Sequence, residues 1–144
     1  MRVIVQRARD AKCVIDNEVY SSIDFGYMLL VGFTEGDNIE KINKMIKKIV
    51  NLRIFEDENG KMNLNIKQVN GKILSISQFT LYANTNDGNR PSFTDALAPD
   101  KATVLFDKFN ELLSQELEVQ TGVFGAEMHI SFTNFGPSTI CLEF

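Results

Sequence analysis

The sequence predicts an α+β fold: one compact domain over residues 1–144, with an antiparallel or mixed, barrel-like core of about seven strands and two long amphipathic helices. Three observations carry this. Short segments rich in Val and Ile, several with alternate residues apolar, recur along the chain. Two stretches repeat apolar residues at helical spacing. No internal repeat, low-complexity segment or linker divides the chain, and its length suits a single core.

Arg2–Ala8 alternates and reads as a strand; a second strand covers Ala11–Ile15, with Asp16-Asn17 as the turn. Tyr27–Phe33 is apolar nearly throughout, so both its faces are expected to be buried, with Gly26 and Gly36 punctuating its ends. Asp37 is placed to cap a helix in which Ile39, Ile42, Ile46, Ile49 and Val50 share one face. Leu52–Phe55 is a short strand, Asn59-Gly60 a hairpin-type turn, Met62–Ile66 an alternating segment and Asn70-Gly71 a further turn. Lys72–Ala83 begins as a buried strand and runs into Ser77-Gln78-Phe79-Thr80. Asn84–Leu97 is polar and aperiodic. Pro99 suits the first helical position, ahead of a stripe of Ala102, Leu105, Phe106, Phe109, Leu112 and Leu113. Glu118–Gly122 is extended, Val123–Met128 a turn, His129–Phe132 a strand, Asn134–Pro137 a turn and Ser138–Phe144 the last strand.

Composition excludes more than it assigns. Fifteen Lys and Arg against nineteen Asp and Glu give −4, which argues against non-specific nucleic-acid binding but leaves room for a local basic surface. Lys41, Lys44, Lys47 and Lys48 occupy one helix face, either as a solvated surface or as a landing strip for phosphates; Arg90 is a further candidate phosphate ligand. No apolar run approaches the ~20 residues of a membrane span. The start, MRVIVQRA, is too short and too soon charged for a signal peptide, so a cytoplasmic location is expected. Cys13 and Cys141 read as buried free thiols.

One histidine, His129, and two distant cysteines cannot assemble a zinc site. Neither G-x-G-x-x-G nor the phosphate loop nor a G-x-S-x-G elbow occurs, so no cofactor or metal is expected. Three polar stretches remain: SQFT at 77–80, VFGAEM at 123–128 and NFGP at 134–137. They offer hydroxyls, backbone amides and shape but no general base. Such a site can position a substrate and stabilise an oxyanion, with an activator that the substrate itself provides.

Those stretches, with VQRA and Arg7, LRIFEDENGKMNLN, RPSF, QTGVFGAEM and the C-terminal NFGPST, carry a resemblance across nearly the whole chain. It is to the D-aminoacyl-tRNA deacylases, also called D-tyrosyl-tRNA deacylases. The resemblance implies a homodimer with its active sites at the interface. It implies hydrolysis of the ester between a D-amino acid and the 3′-terminal adenosine of tRNA, and of glycine mischarged on tRNA for alanine. Ser77, Gln78, Phe79 and Thr80 would form one wall. Thr80 is then the candidate nucleophile, against the alternative that the adenosine 2′-hydroxyl assists; the lack of a nearby base favours the latter. Gly136-Pro137 would match a Gly-cis-Pro motif that reaches into the other subunit's site and excludes L-side chains. Arg7 would hold that motif, and Phe124, Ala126 and Met128 would line the adenosine and aminoacyl pocket.

The chain departs from the family pattern in two places. Phe135 stands where a small or acidic residue is common, and Ser138 where valine is. Two other readings use the same residues: a non-catalytic module that holds the tRNA 3′ end, and a purely structural dimer.

Overall fold

The computed structural model describes residues 1–144. The strands are β1 (Arg2–Ile15), β2 (Glu18–Gly32), β3 (Phe55–Glu56), β4 (Met62–Leu64), β5 (Lys72–Ser77), β6 (Val119–Thr121) and β7 (His129–Glu143); the helices are α1 (Ile39–Asn51) and α2 (Pro99–Leu113). Five strands form one sheet in the order β6-β5-β2-β1-β7, and β3-β4 is a separate ribbon. β1 pairs antiparallel with β2 and β7, whereas β2-β5 and β5-β6 are parallel, so the sheet is mixed.

The two segments expected as separate strands at the N-terminus are one. Asp10, at φ 52°, kinks β1 without ending it, and pairing to β2 continues on both sides. Asp16 and Asn17 both take positive φ, as a two-residue hairpin turn requires. β2 begins well before Tyr27, because the polar segment from Glu18 to Phe25 pairs with the outer half of β1 and buries only Ser21 and Ile23. Gly26 is therefore mid-strand. It sits at φ +142°, opposite Lys72, where a Cβ would overlap the Lys72 backbone.

Asn38, not Asp37, caps α1: its side chain accepts from the N–H groups of Glu40 and Lys41 at 3.0 and 3.1 Å. Asp37 instead accepts from the Met1 ammonium at 2.6 Å and from the Thr34 N–H at 2.8 Å, which ties the chain start to the helix start. Ile42, Met45, Ile46, Ile49 and Val50 are buried, but Ile39 lies outside the stripe and is exposed. Pro99 opens α2, and Ala102, Phe106, Phe109 and Leu113 are buried, with Leu105 and Leu112 only partly so. Both helices pack on the sheet face formed by Val3, Val5, Tyr27, Leu29, Val31 and Ile73.

A second apolar cluster occupies the other face, with Ala8, Ala11, Cys13, Ile23, Met28, Leu74 and Ile76. The far end of the β1–β2 hairpin reaches β6, where Ser21 Oγ donates to the Thr121 carbonyl at 2.7 Å and helps cover this face of an otherwise open sheet. This is why Tyr27–Val31 is apolar on both faces. Two expectations are corrected here. β7 is a single strand with NFGP inside it, and Cys141 is exposed because it lies on the outer face of that edge strand, while Cys13 is buried as expected. His129 is a surface residue. No helix is long and apolar enough to cross a membrane.

Candidate active site

β5 ends where its polar residues begin. The Gln78 N–H makes the last bond to β2, at the Val31 carbonyl (2.7 Å), and the chain then tightens into a single 3₁₀ turn, Phe79–Tyr82. Gln78 offers this turn no side-chain cap. The N–H groups of Phe79 and Thr80 find no partner within the turn, as at any helix start. Gln78 Nε2 instead donates to Thr80 Oγ1 at 2.5 Å. Phe79 and Thr80 are exposed, and the Phe79 ring meets Phe93 edge-on at 5.0 Å.

The 123–126 turn comes up beside this wall, because the Gly122 N–H bonds the Ser75 carbonyl at 3.0 Å and continues the β5–β6 pairing. Two adjoining hollows result. One, of ≈ 370 Å³, is mainly apolar and includes Phe33, Phe93, Leu97 and Pro99. The other, of ≈ 300 Å³, includes Ile76, Ala126, Met128 and Ile130. Both are bounded by Ser77, Gln78, Phe79, Phe124 and Gly125, which makes them one groove. The structure thus brings together Ser77, Gln78, Phe79, Phe124, Ala126 and Met128. Thr80 lies outside both linings. No ionisable side chain lines either hollow, and no cluster of His, Cys, Asp or Glu could hold a metal. The groove can orient an aromatic group by shape and offer backbone donors; it contains no protein base.

Phe93, Leu97 and Pro99 were missed as wall residues. In the sequence Phe93 shows only as part of RPSF, Leu97 as the end of the aperiodic segment and Pro99 as the first position of α2, and none of these features points to a groove.

The second motif is a bulge. Gln6 pairs with Thr139 and Ala8 with Asn134, so Arg7 alone faces residues 135–138 of β7. The Arg7 side chain is nearly buried, at 3% exposure. Its Nε donates to the Phe135 carbonyl at 3.2 Å and its Nη1 to the Ile54 carbonyl at 3.1 Å. Asn134 Oδ1 accepts the Ser138 N–H at 3.1 Å, closing the base of the bulge. Ser138 thus contributes its backbone, and its burial, to the turn. The Gly136-Pro137 bond is cis, and both residues are exposed. Gly136 has φ +116°, and a Cβ there would overlap Arg7 Nη2.

The two motifs do not meet within one chain. Across the sheet Ser77 is level with Val31 and Val3, whereas Arg7 is level with Tyr27 and Ile73. Gly136 is therefore three strand spacings and about four residues from Ser77, roughly 20 Å.

The cations divide. Lys41 is paired with Asp37 at 3.2 Å. Lys44, Lys47 and Lys48, none of them ion-paired, line a separate shallow hollow of ≈ 570 Å³ with Arg53 and Phe144. Arg53 was not singled out from the sequence. Arg90 is exposed in the loop between Asn84 and Ser92, which pair across its base. Near the wall, burial pushes the Tyr82 hydroxyl up to about 12, helped by the charges of Asp37 and Glu143.

A family model described as D-Tyr-tRNA(Tyr) deacylase matches residues 4–143. The chain is 54% identical to a D-aminoacyl-tRNA deacylase of Lactobacillus gasseri, over 99% of both chains. It is 53% identical to one of Limosilactobacillus reuteri, again over 99% of both. Among solved structures, it superposes on a c-Myc DNA unwinding element binding protein with TM-score 0.95 and 35% identity, covering 100% of this chain and 99% of that one. A probable eukaryotic D-amino acid tRNA deacylase shares the fold at TM-score 0.83 and 18% identity, over 98% and 97% of the two chains.

Proposed function

Because the chain belongs to the D-Tyr-tRNA(Tyr) deacylase family, we propose that it hydrolyses the ester joining a D-amino acid to the 3′-terminal adenosine of tRNA. The observation that carries the reading is the groove walled by Ser77–Phe79, Phe124–Ala126 and Met128, mainly apolar and lined by no titratable side chain. The adenosine and the aminoacyl group occupy its two hollows. Water adds to the ester carbonyl carbon, and the oxyanion that forms takes hydrogen bonds from the free N–H groups of Phe79 and Thr80. The bond between the acyl carbon and the ribose O3′ then breaks, and that oxygen takes the proton that the attacking water gives up. With no protein base in the groove, the adenosine 2′-hydroxyl orients the water. Thr80, exposed and already accepting from Gln78, serves as a rim residue.

Stereochemistry is assigned to Gly136-Pro137. The motif is exposed and held from behind by Arg7, yet roughly 20 Å from the groove of its own chain. The proposal therefore requires a homodimer in which the motif of one protomer closes the groove of the other. There it excludes an L-side chain while admitting a D-amino acid or glycine, including glycine carried on tRNA for alanine. Lys44, Lys47, Lys48 and Arg90 meet a few tRNA phosphates, with Lys41 held back by Asp37. The work belongs in the cytoplasm, where aminoacyl-tRNA is.

Deacylation of D-Tyr-tRNA and L-Tyr-tRNA by the purified protein tests this. The first is hydrolysed and the second spared; equal rates would sink the stereochemical reading. A second reading, nucleic-acid binding without cleavage, draws on the likeness to the 35%-identical c-Myc DNA unwinding element binding protein. Intact D-Tyr-tRNA in a complex that still forms would favour it.

A further inference from the structure

We infer that Phe135 and Arg9 clamp the Gly136-Pro137 bulge, which makes Phe135 a positioning residue for stereochemical selection. The inference rests on the reading above, in which that bulge faces the substrate.

Phe135 does not point out with Gly136 and Pro137. Its ring lies near two guanidinium groups, with Arg7 Cζ 4.7 Å and Arg9 Cζ 4.8 Å from its centroid. It also stacks on Phe25, 5.7 Å away at 25°, and lies 6.5 Å from Phe55. Phe55 in turn stacks on the fully buried Tyr27 at 5.2 Å. The residue next to Gly136 is thus continuous with the core through a column of aromatic rings.

Electrostatics give the ring a second task. Arg7 and Arg9 are two residues apart on one strand, so both guanidinium groups fall on the same face. Neither has a carboxylate partner, and Arg9 makes no hydrogen bond; its rings, Phe135 and Phe25 at 5.6 Å, are what hold it. An aromatic ring attracts each of these cations. Arg7 then stays where its Nε meets the Phe135 carbonyl, bracing backbone and side chain of one residue together. A small or acidic residue at 135 would lose the ring; an acid would pull Arg7 or Arg9 into an ion pair instead.

The bulge selects by refusing a side chain, so its precision decides how well it refuses. Displacement by an ångström can cost on the order of a hundredfold. The test is the ratio of kcat/KM on D-Tyr-tRNA to that on L-Tyr-tRNA. For Phe135→Leu, which keeps apolar bulk without the π face, the ratio falls by about tenfold or more, with KM for the D-substrate within about twofold. Phe135→Tyr restores it. Arg9→Gln lowers the ratio too, and adds little to Phe135→Leu because the two act through one contact. Circular dichroism and thermal melts confirm that each variant folds. Should Phe135→Leu keep the wild-type ratio, or should its effect add fully to that of Arg9→Gln, the clamp is overturned. Failure of the wild type itself to prefer the D-substrate would defeat the underlying reading instead, so the two failures are distinguishable.

Discussion

The wall at 77–80 and the bulge at 135–138 are the two motifs assigned to the site, and they are built in opposite ways. The wall is a strand end that simply stops: two N–H groups without a turn partner, a hydroxyl bonded only to the neighbouring glutamine, an exposed ring and a groove beside it. The bulge has no groove. It has instead a nearly buried arginine, an asparagine closing its base and an aromatic ring beneath it. One region offers N–H groups without a turn partner to a ligand, whereas the other has its Phe135 carbonyl and Ser138 N–H bonded within its own chain and is held in shape from behind. Donors for a developing charge need to be free, and a steric barrier needs to be stiff. The contrast supports a division of labour between chemistry and selection.

The largest effect expected to break this contrast comes from Gly136→Ala. Its Cβ would overlap Arg7 Nη2 at a backbone angle that suits glycine, so kcat/KM on D-Tyr-tRNA should fall by about a hundredfold or more. Wild-type kinetics would show that the bulge plays no part. Arg7→Ala comes next. It leaves the Phe135 and Ile54 carbonyls without their donor and should cost about 3 kcal/mol, read from the urea midpoint at constant m. A loss well under about 1 kcal/mol would mean that the bulge is not braced as described.

On the wall, Thr80→Ala should lower kcat by less than about fivefold, far short of the 10²–10⁴ of an acid–base group. A fall of about a thousandfold would restore the threonine as nucleophile. The smallest effect belongs to Tyr82, whose hydroxyl is buried without a partner. Its folded pKa is raised to about 12 from 10, so the protein is stabilised relative to the unfolded chain below pH 10, and that stability is lost as pH climbs through the window to 12. Tyr82→Phe should leave neutral stability within about 0.5 kcal/mol and soften the alkaline loss in pH-dependent denaturation. An unchanged alkaline limb would contradict the burial.

Local pattern located most elements. The stripes of α1 and α2, the turn at Asp16-Asn17 and the buried run at Tyr27–Val31 are properties of neighbouring residues, so they could be read directly. Errors fell where a distant strand intervened. The polar Glu18–Phe25 is a strand only because β1 pairs with it, and Gly26 is mid-strand because the Lys72 backbone approaches there. NFGP looked like a turn because four turn-formers are adjacent; Arg7 on another strand makes it a bulge. Asp37 looked like the cap, but the Met1 ammonium claims its carboxylate, leaving Asn38 to cap.

The sequence alone determined the class of fold, the absence of metal-ligand and cofactor motifs, and the stretches 77–80, 123–128 and 134–137, since residue types and short spacings suffice for these. Only the tertiary structure decided that the first two share one groove, that Phe93, Leu97 and Pro99 complete it, and that the third lies across three strands from it. The physical reason is that pairing partners and side-chain contacts are set between residues far apart in the chain, so strand register, not local pattern, puts the wall in a groove and the bulge on an arginine.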